Sequence, residues 1–191
     1  VSAIDDATAT DWALAARSGD QTAAAAFIRA TQQQVHRFLA HLVDPREVDD
    51  LTQETYLRAM RSLSRFAGRS SAKTWLFTIA RRVAADHYRT AAARPRPADL
   101  ADWQAAADSA QGGAGTRFEE QVVLRRLLEN LPADRRLAFV ATQMLGLSYA
   151  EAAEVCDCPI GTIRSRVARA REDLVAALRE REHRGDSRDA G

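Results

Sequence analysis

The sequence predicts an all-α protein made of two small helical domains joined by a flexible, extended linker. Three observations carry that expectation. Alanine supplies 39 of the 191 residues, and alanine loses no side-chain entropy in a helix. Apolar residues recur at three- and four-residue intervals through most of the chain, the spacing of one buried helical face. That spacing stops after Ala93, where Pro95, Pro97, Gly112, Gly113 and Gly115 punctuate a segment with little apolar pattern. The expected organisation is a first domain over 9–92, a linker over 93–117, a second domain over 118–182 and a polar, frayed tail over 183–191.

The elements follow in order. Phe27, Ile28, Thr31, Val35, Phe38, Leu39 and Leu42 form one stripe of a long helix. The next helix has a written start: Asp44 can cap it, Pro45 suits its first position and Glu47 its third. It runs to about Leu63 on a seam of Val48, Leu51 and Thr55. A turn over Phe66, Ala67, Gly68, Arg69 and Ser70 leads into a third helix, ending near Thr90 and burying Leu76, Ile79, Ala80, Val83 and His87. Trp103 is the one large apolar residue of the linker. Periodicity resumes with Phe118, Val122, Val123, Leu127 and Leu128, continues with Leu137, Phe139, Val140 and Met144, and ends near Arg181.

The strongest local signal spans Ser148–Arg171. Ser148-Tyr149-Ala150-Glu151 is a capping box, and the helix it opens ends near Cys156. Asp157-Cys158 makes a tight turn, and Pro159 fits the first position of a second helix. Two short helices joined this way form a helix-turn-helix, which also occurs as a plain packing unit. At about 100° per residue, Ile160, Ile163, Val167, Ala170 and Leu174 gather on one side of the second helix. Arg164, Ser165, Ala168 and Arg169 gather on the opposite side. Two arginines, a serine and a small residue on an outward face suit a major groove, where arginine bonds both acceptors of a guanine.

Charge is segregated beneath a formal total of +1. Residues 61–96 carry nine basic groups and one acid, Asp86, and residues 161–171 carry four arginines and no acid. Two basic surfaces on a neutral chain point to polyanion contact at two places, and solvated helix faces would show the same composition. No apolar run reaches the length of a membrane span and no basic start with an apolar stretch reads as a signal peptide, so an intracellular protein is expected. Cys156 and Cys158 form no disulfide framework, and a Cys-x-Cys without a second pair does not supply the four ligands of zinc. No Gly-rich phosphate loop, nucleophile elbow or metal-ligand spacing appears, so neither an enzyme nor a cofactor is expected. The rival to a two-surface nucleic-acid protein is an autonomous helix-turn-helix regulator. That reading needs a dimerisation or ligand module in residues 1–92, where a basic, aromatic helix stands instead.

Two further motifs carry a family resemblance: Asp49-Asp50-Leu51-Thr52-Gln53-Glu54-Thr55-Tyr56-Leu57-Arg58-Ala59 and Lys73-Thr74-Trp75-Leu76-Phe77-Thr78-Ile79-Ala80-Arg81. With Gly146–Glu151 and Cys158–Arg166 after them, in this order, the chain resembles the extracytoplasmic-function (ECF) sigma factors of bacterial RNA polymerase over about 9–182. Its alanine- and arginine-rich composition, with Lys73 the single lysine, looks actinobacterial. The resemblance implies a sigma region 2 domain, a linker and a sigma region 4 domain. It implies docking of Asp49, Asp50, Gln53, Glu54 and Leu57 on the clamp helices of the largest polymerase subunit. It places recognition and opening of the −10 promoter element on Phe66, Arg69, Lys73, Trp75, Arg81, Arg82 and Arg89. Cations for phosphate and flat rings for bases are what opened strands require. It places readout of the −35 element, as duplex, on Thr162, Arg164, Ser165, Ala168 and Arg169. The implied partners are core polymerase, including the flap of its second-largest subunit, promoter DNA and an anti-sigma protein, all in the cytoplasm. The acidic linker, with Asp99, Asp102 and Asp108, resembles the family's connector toward the active-site cleft. Two positions depart from the family pattern. Arg82 stands where asparagine is common and lacks the amide's acceptor, and Ala168 stands where a larger side chain can occur.

Overall fold

The computed structural model describes residues 5–93 and 123–189. The linker expectations at Trp103, Asp99, Asp102 and Asp108, and the resumption at Phe118 and Val122, lie outside the described residues. No strand occurs among those described, and no helix there is long and apolar enough to cross a membrane. The first domain comprises α1 (Asp6–Arg17), α2 (Gln21–Ala40), α3 (Val48–Ser62) and α4 (Ala72–Ala93). After the linker come α5 (residues 123–129), α6 (Ala133–Phe139), α7 (Tyr149–Cys156) and α8 (Ile160–Asp189).

Local chemistry sets the helix starts. The Asp20 carboxylate accepts from the backbone N–H groups of Thr22 and Ala23 at 2.8 and 3.0 Å and caps α2. The Asp44 carboxylate accepts from Arg46 N–H at 2.9 Å, and a 3₁₀ turn over Pro45–Glu47 then feeds α3. The α2 stripe is buried at Phe27, Thr31, Val35, Phe38, Leu39 and Leu42, while Ile28, expected in it, is only half-buried because it faces the cleft between α2 and α3. Phe38 meets Phe77 of α4 edge to face at 5.3 Å. Each such side chain contributes about 1.5–3 kcal/mol on leaving water, and together they fix the angle at which α3 and α4 present their outer faces.

The second domain builds on α8. Ile163, Val167, Ala170 and Leu174 are buried, and the last two meet Leu127 and Leu128 of α5 and Leu131. A π-helical turn over Val140–Met144 continues α6 and brings the chain round to α7. The two domains touch: α4 packs on α7, and the buried residues of both form one continuous core. At this joint the Thr74 hydroxyl lies 3.5 Å from a Glu151 carboxylate oxygen.

Four further local expectations are corrected. His87 is half-buried, at the rim of α4, with Nδ1 3.9 Å from the Glu47 carboxylate. Ile160, the first residue of α8, is exposed, and the buried row begins three residues on at Ile163. Pro159 stands just before α8, where its carbonyl accepts from Thr162 N–H at 2.9 Å. Helix α8 continues to Asp189, since extending a formed helix costs little and no proline follows Pro159 to stop it.

Candidate nucleic-acid and polymerase interfaces

The helix-turn-helix is set by three local devices. The Ser148 hydroxyl oxygen accepts from Glu151 N–H at 3.2 Å, and the Glu151 carboxylate accepts from Ser148 N–H at 2.8 Å, completing the reciprocal cap. Asp157 takes the left-handed conformation (φ 53°, ψ 53°) that turns the chain between α7 and α8, a conformation aspartate tolerates better than most residues. Cys156 and Cys158 flank this turn, the first buried and the second half-buried. Burial, with the neighbouring Cys158, pushes the Cys156 thiol up to about 12, against smaller opposing effects of Arg81 and Arg166. Both cysteines act here as small packing groups, and Arg166 Nη1 lies 3.5 Å from Cys158 Sγ.

The four arginines of 161–171 divide into two kinds. Arg166 pairs with Asp134 of α6 at 3.0 Å and Arg171 donates to Gln143 at 2.7 Å, so both tie α8 to its own domain. Arg164 and Arg169 are exposed, and neither is paired with a carboxylate among the described residues. Ser165 and Ala168 lie exposed on the same face, with Thr162 half-buried at its start. The face opposite is the buried row of Ile163, Val167 and Ala170, so the angular separation expected from the sequence is present.

On α3, Asp49, Asp50, Gln53 and Leu57 are exposed, and Leu57 keeps 45% of its surface in solvent. Asp49, Gln53 and Leu57 line a shallow groove between α2 and α3, together with Ile28, Gln32, Tyr56 and Met60. His36 Nε2 lies 3.1 Å from Asp49 Oδ1 across its mouth. Glu54 sits outside this groove, half-buried and paired with Arg58 at 2.7 Å. Arg58 also binds Asp86 of α4, and Asp86 binds Arg89, so one chain of charges joins α3 to the far end of α4. The α2 contribution was missed in the sequence. Ile28, Gln32 and His36 repeat every four residues, one position after the buried Phe27, Thr31 and Val35, and that offset was the available signal.

The turn and α4 hold the third set. Arg69, Arg82 and Arg89 are exposed, Trp75 and Arg81 are half-buried, and Phe66 and Lys73 are buried. Phe66 packs on Trp75 with ring centroids 4.9 Å apart. Lys73 pairs with Asp6 of α1. Of the exposed cations, Arg69 lies in the turn between Phe66 and Trp75, and Arg82 and Arg89 lie about two and four turns beyond Trp75 along α4. The Nε of Arg81 is buried without a hydrogen-bond partner. Helix α4, which carries most of this set, also packs on α7.

Comparison with known proteins fits this arrangement. The family model described as Sigma-70 region 2 matches residues 27–94, and that described as Sigma-70, region 4 matches residues 121–174. The chain is 51% identical over 174 residues to the ECF RNA polymerase sigma factor SigC of Mycobacterium tuberculosis, covering 91% of this chain and 93% of that protein. It is 35% identical over 177 residues to the ECF RNA polymerase sigma-E factor of Escherichia coli, covering 86% and 92% respectively. Among solved structures, the sigma factor RpoE of Bartonella quintana, crystallised with the anti-sigma factor NepR, superposes with a TM-score of 0.62 at 28% identity, covering 80% of this chain and 94% of that one. This chain belongs to the extracytoplasmic-function family of RNA polymerase sigma factors, alternative subunits that bring core polymerase to promoter DNA for the initiation of transcription.

Proposed function

We propose a division of that activity among three surfaces. The groove between α2 and α3, with Asp49, Asp50, Gln53, Glu54 and Leu57 on or beside it, docks on the clamp helices of the largest polymerase subunit. The turn and α4 take the −10 element as separated strand. Arg69, Arg82 and Arg89 meet phosphate there, and half-buried Trp75 and Arg81 offer the flat surfaces on which bases stack. Buried Phe66, packed on Trp75, and buried Lys73, paired with Asp6, support them from within. Helix α8 enters the major groove at the −35 element through Thr162, Arg164, Ser165, Ala168 and Arg169, and the second domain rests on the flap of the second-largest subunit. The polymerase performs the chemistry and the chain performs none, working in the cytoplasm. The domain limits are 9–92 and 118–182, with 93–117 between them. An anti-sigma protein is a further partner in this reading, as the Bartonella quintana relative has one.

The observation that carries the reading is the two-sidedness of α8: a buried apolar row behind two exposed arginines that no carboxylate among the described residues occupies. Run-off transcription tests it. Core polymerase is given fragments of the source genome with and without the chain. Discrete start sites that need the chain, preceded by two common elements, are expected. Nanomolar, sequence-specific duplex binding by the free chain at physiological salt, with no chain-dependent start sites, would establish the autonomous regulator instead.

A further inference from the structure

Helix α1 lies before the region 2 match, which begins at residue 27. Its contacts with the turn that precedes α4 are specific. The Arg17 guanidinium donates from Nη1 to the Phe66 carbonyl at 3.0 Å. The Thr10 hydroxyl oxygen accepts from the Ala72 backbone N–H at 3.0 Å while its own proton goes to the Asp6 carbonyl at 2.8 Å. The Asp6 carboxylate pairs with Lys73. Positions 6, 10 and 17 fall on one face at helical spacing, and Ala9 and Ala13, both fully buried, let that face come close. Between the two anchored ends, Gly68 turns with φ +66° directly beside the Leu14 side chain. A short irregular turn is thereby held at its first carbonyl and at the first amide and first charged side chain of the helix that follows.

Those contacts are unusual in what they hold. The segment from Phe66 to Ser71 has only the 3₁₀ turn before it and the start of α4 after it, and Arg69 projects from its middle into solvent. A free segment of this kind would lose conformational freedom each time a strand bound it, and an anchored one has lost that freedom already. We propose that α1 is a positioning clamp for this turn. Asp6, Thr10 and Arg17 touch no DNA, and they preset the path of the Phe66–Lys73 segment against the separated −10 strand. The proposal rests on the assignment of that segment to the −10 element. It adds a helix outside the matched region to the parts that decide −10 selection, and it gives buried Lys73 an anchoring role.

The test uses the full chain with core polymerase on a promoter recovered by run-off transcription, randomised across its −10 element. Arg17→Ala, Arg17→Lys, Thr10→Val and Thr10→Ser are assayed beside Arg69→Ala, below the melting transition of each. Arg17→Ala and Thr10→Val are expected to broaden −10 selection and to slow opening about tenfold, the loss equivalent to one bond to a charged or buried group. Affinity for core polymerase and −35 preference should stay as in the parent. Thr10→Ser keeps the acceptor and should restore selection, and Arg17→Lys should restore it in part. A lowered melting temperature with unchanged −10 selection in both Arg17→Ala and Thr10→Val would overturn the clamp, leaving α1 a stabilising helix only. The Arg69→Ala arm separates the two readings. If Arg69→Ala alters selection and the α1 variants do not, the clamp fails and the −10 assignment stands. If neither alters it, the −10 assignment fails and the clamp with it.

Discussion

Thr31 and Tyr56 show how much a single buried polar contact decides. The Thr31 hydroxyl donates to the Phe27 carbonyl at 2.8 Å, which leaves its oxygen to accept from the Tyr56 phenol at 2.7 Å. Burial pushes Tyr56 up to about 12, partly offset by the threonine hydroxyl, so the phenol stays a neutral donor at all physiological pH. The two halves of this bond are not equivalent. Tyr56→Phe removes a donor and leaves Thr31 satisfied by Phe27, costing about 1 kcal/mol. Thr31→Val strands the phenol in the core and should cost about 1–3 kcal/mol. Urea unfolding of the two variants checks the order. Asp86 supplies a second residue-level prediction. Hydrogen bonds from Arg58 and then Arg89 hold its carboxyl below the usual aspartate range. A depressed folded pKa means stability that is complete above the unfolded value, about 3.9, and lost as pH falls through the folded one. Asp86→Asn should therefore lower stability at neutral pH by at most about 1 kcal/mol, since the carboxylate is partly solvated. The difference from the parent should vanish at the acid end of a pH series of melts.

At the scale of elements, α3 is the one whose two faces do different work. Val48, Leu51, Thr55 and Ala59 turn inward and leave Leu57 standing in solvent at the edge of the α2–α3 groove. Because Leu57 contributes nothing to the core, Leu57→Asp should leave the melting temperature within about 2 °C, as surface changes usually do. Affinity for core polymerase should fall at least tenfold, read by anisotropy of a labelled chain. Glu54 is a poorer probe, since replacing it also breaks its pair with Arg58. The elements differ in how openly the sequence declares them. Helix α2 is legible because Phe27, Val35 and Phe38 are large and regularly spaced, and α7 because Ser148 and Glu151 spell its cap. Helix α1 is illegible by the same criterion: its buried face is Ala9 and Ala13, and alanine in an alanine-rich segment marks no side. The π turn at Val140–Met144, between α6 and α7, has no local sequence signature. Among the candidate site residues, exposure on α8 follows from helical angle alone. The burial of Lys73 and Phe66 depends on α1 and Trp75, partners that periodicity does not reveal.

The whole molecule brings the three surfaces together in a way that no single element determines. Helix α4 packs on α7 and shares one continuous core with it, while Arg82 and Arg89 stay exposed on α4. The exposed arginines supply sequence-independent phosphate affinity, which is weak at physiological salt. The free chain should therefore bind promoter duplex no tighter than micromolar, and a gel shift measures this. Within holoenzyme the two DNA surfaces should fail in different ways when mutated. Arg169 stands on the exposed face of α8; under the proposed −35 assignment, alanine there removes a contact to duplex bases and should cost about 1–3 kcal/mol at particular −35 positions. Arg82 stands exposed on α4, seven residues and two turns beyond Trp75; under the proposed −10 assignment its partner is a strand that exists only after opening. Arg82→Ala should leave the closed complex intact and slow its conversion to the open one. A template mismatched across the −10 region supplies the separated strand in advance. It should restore transcription by Arg82→Ala and leave Arg169→Ala defective, because the −35 duplex is the same in both templates. Equal rescue of both variants, or of neither, would show that opening and duplex readout are not divided between α4 and α8.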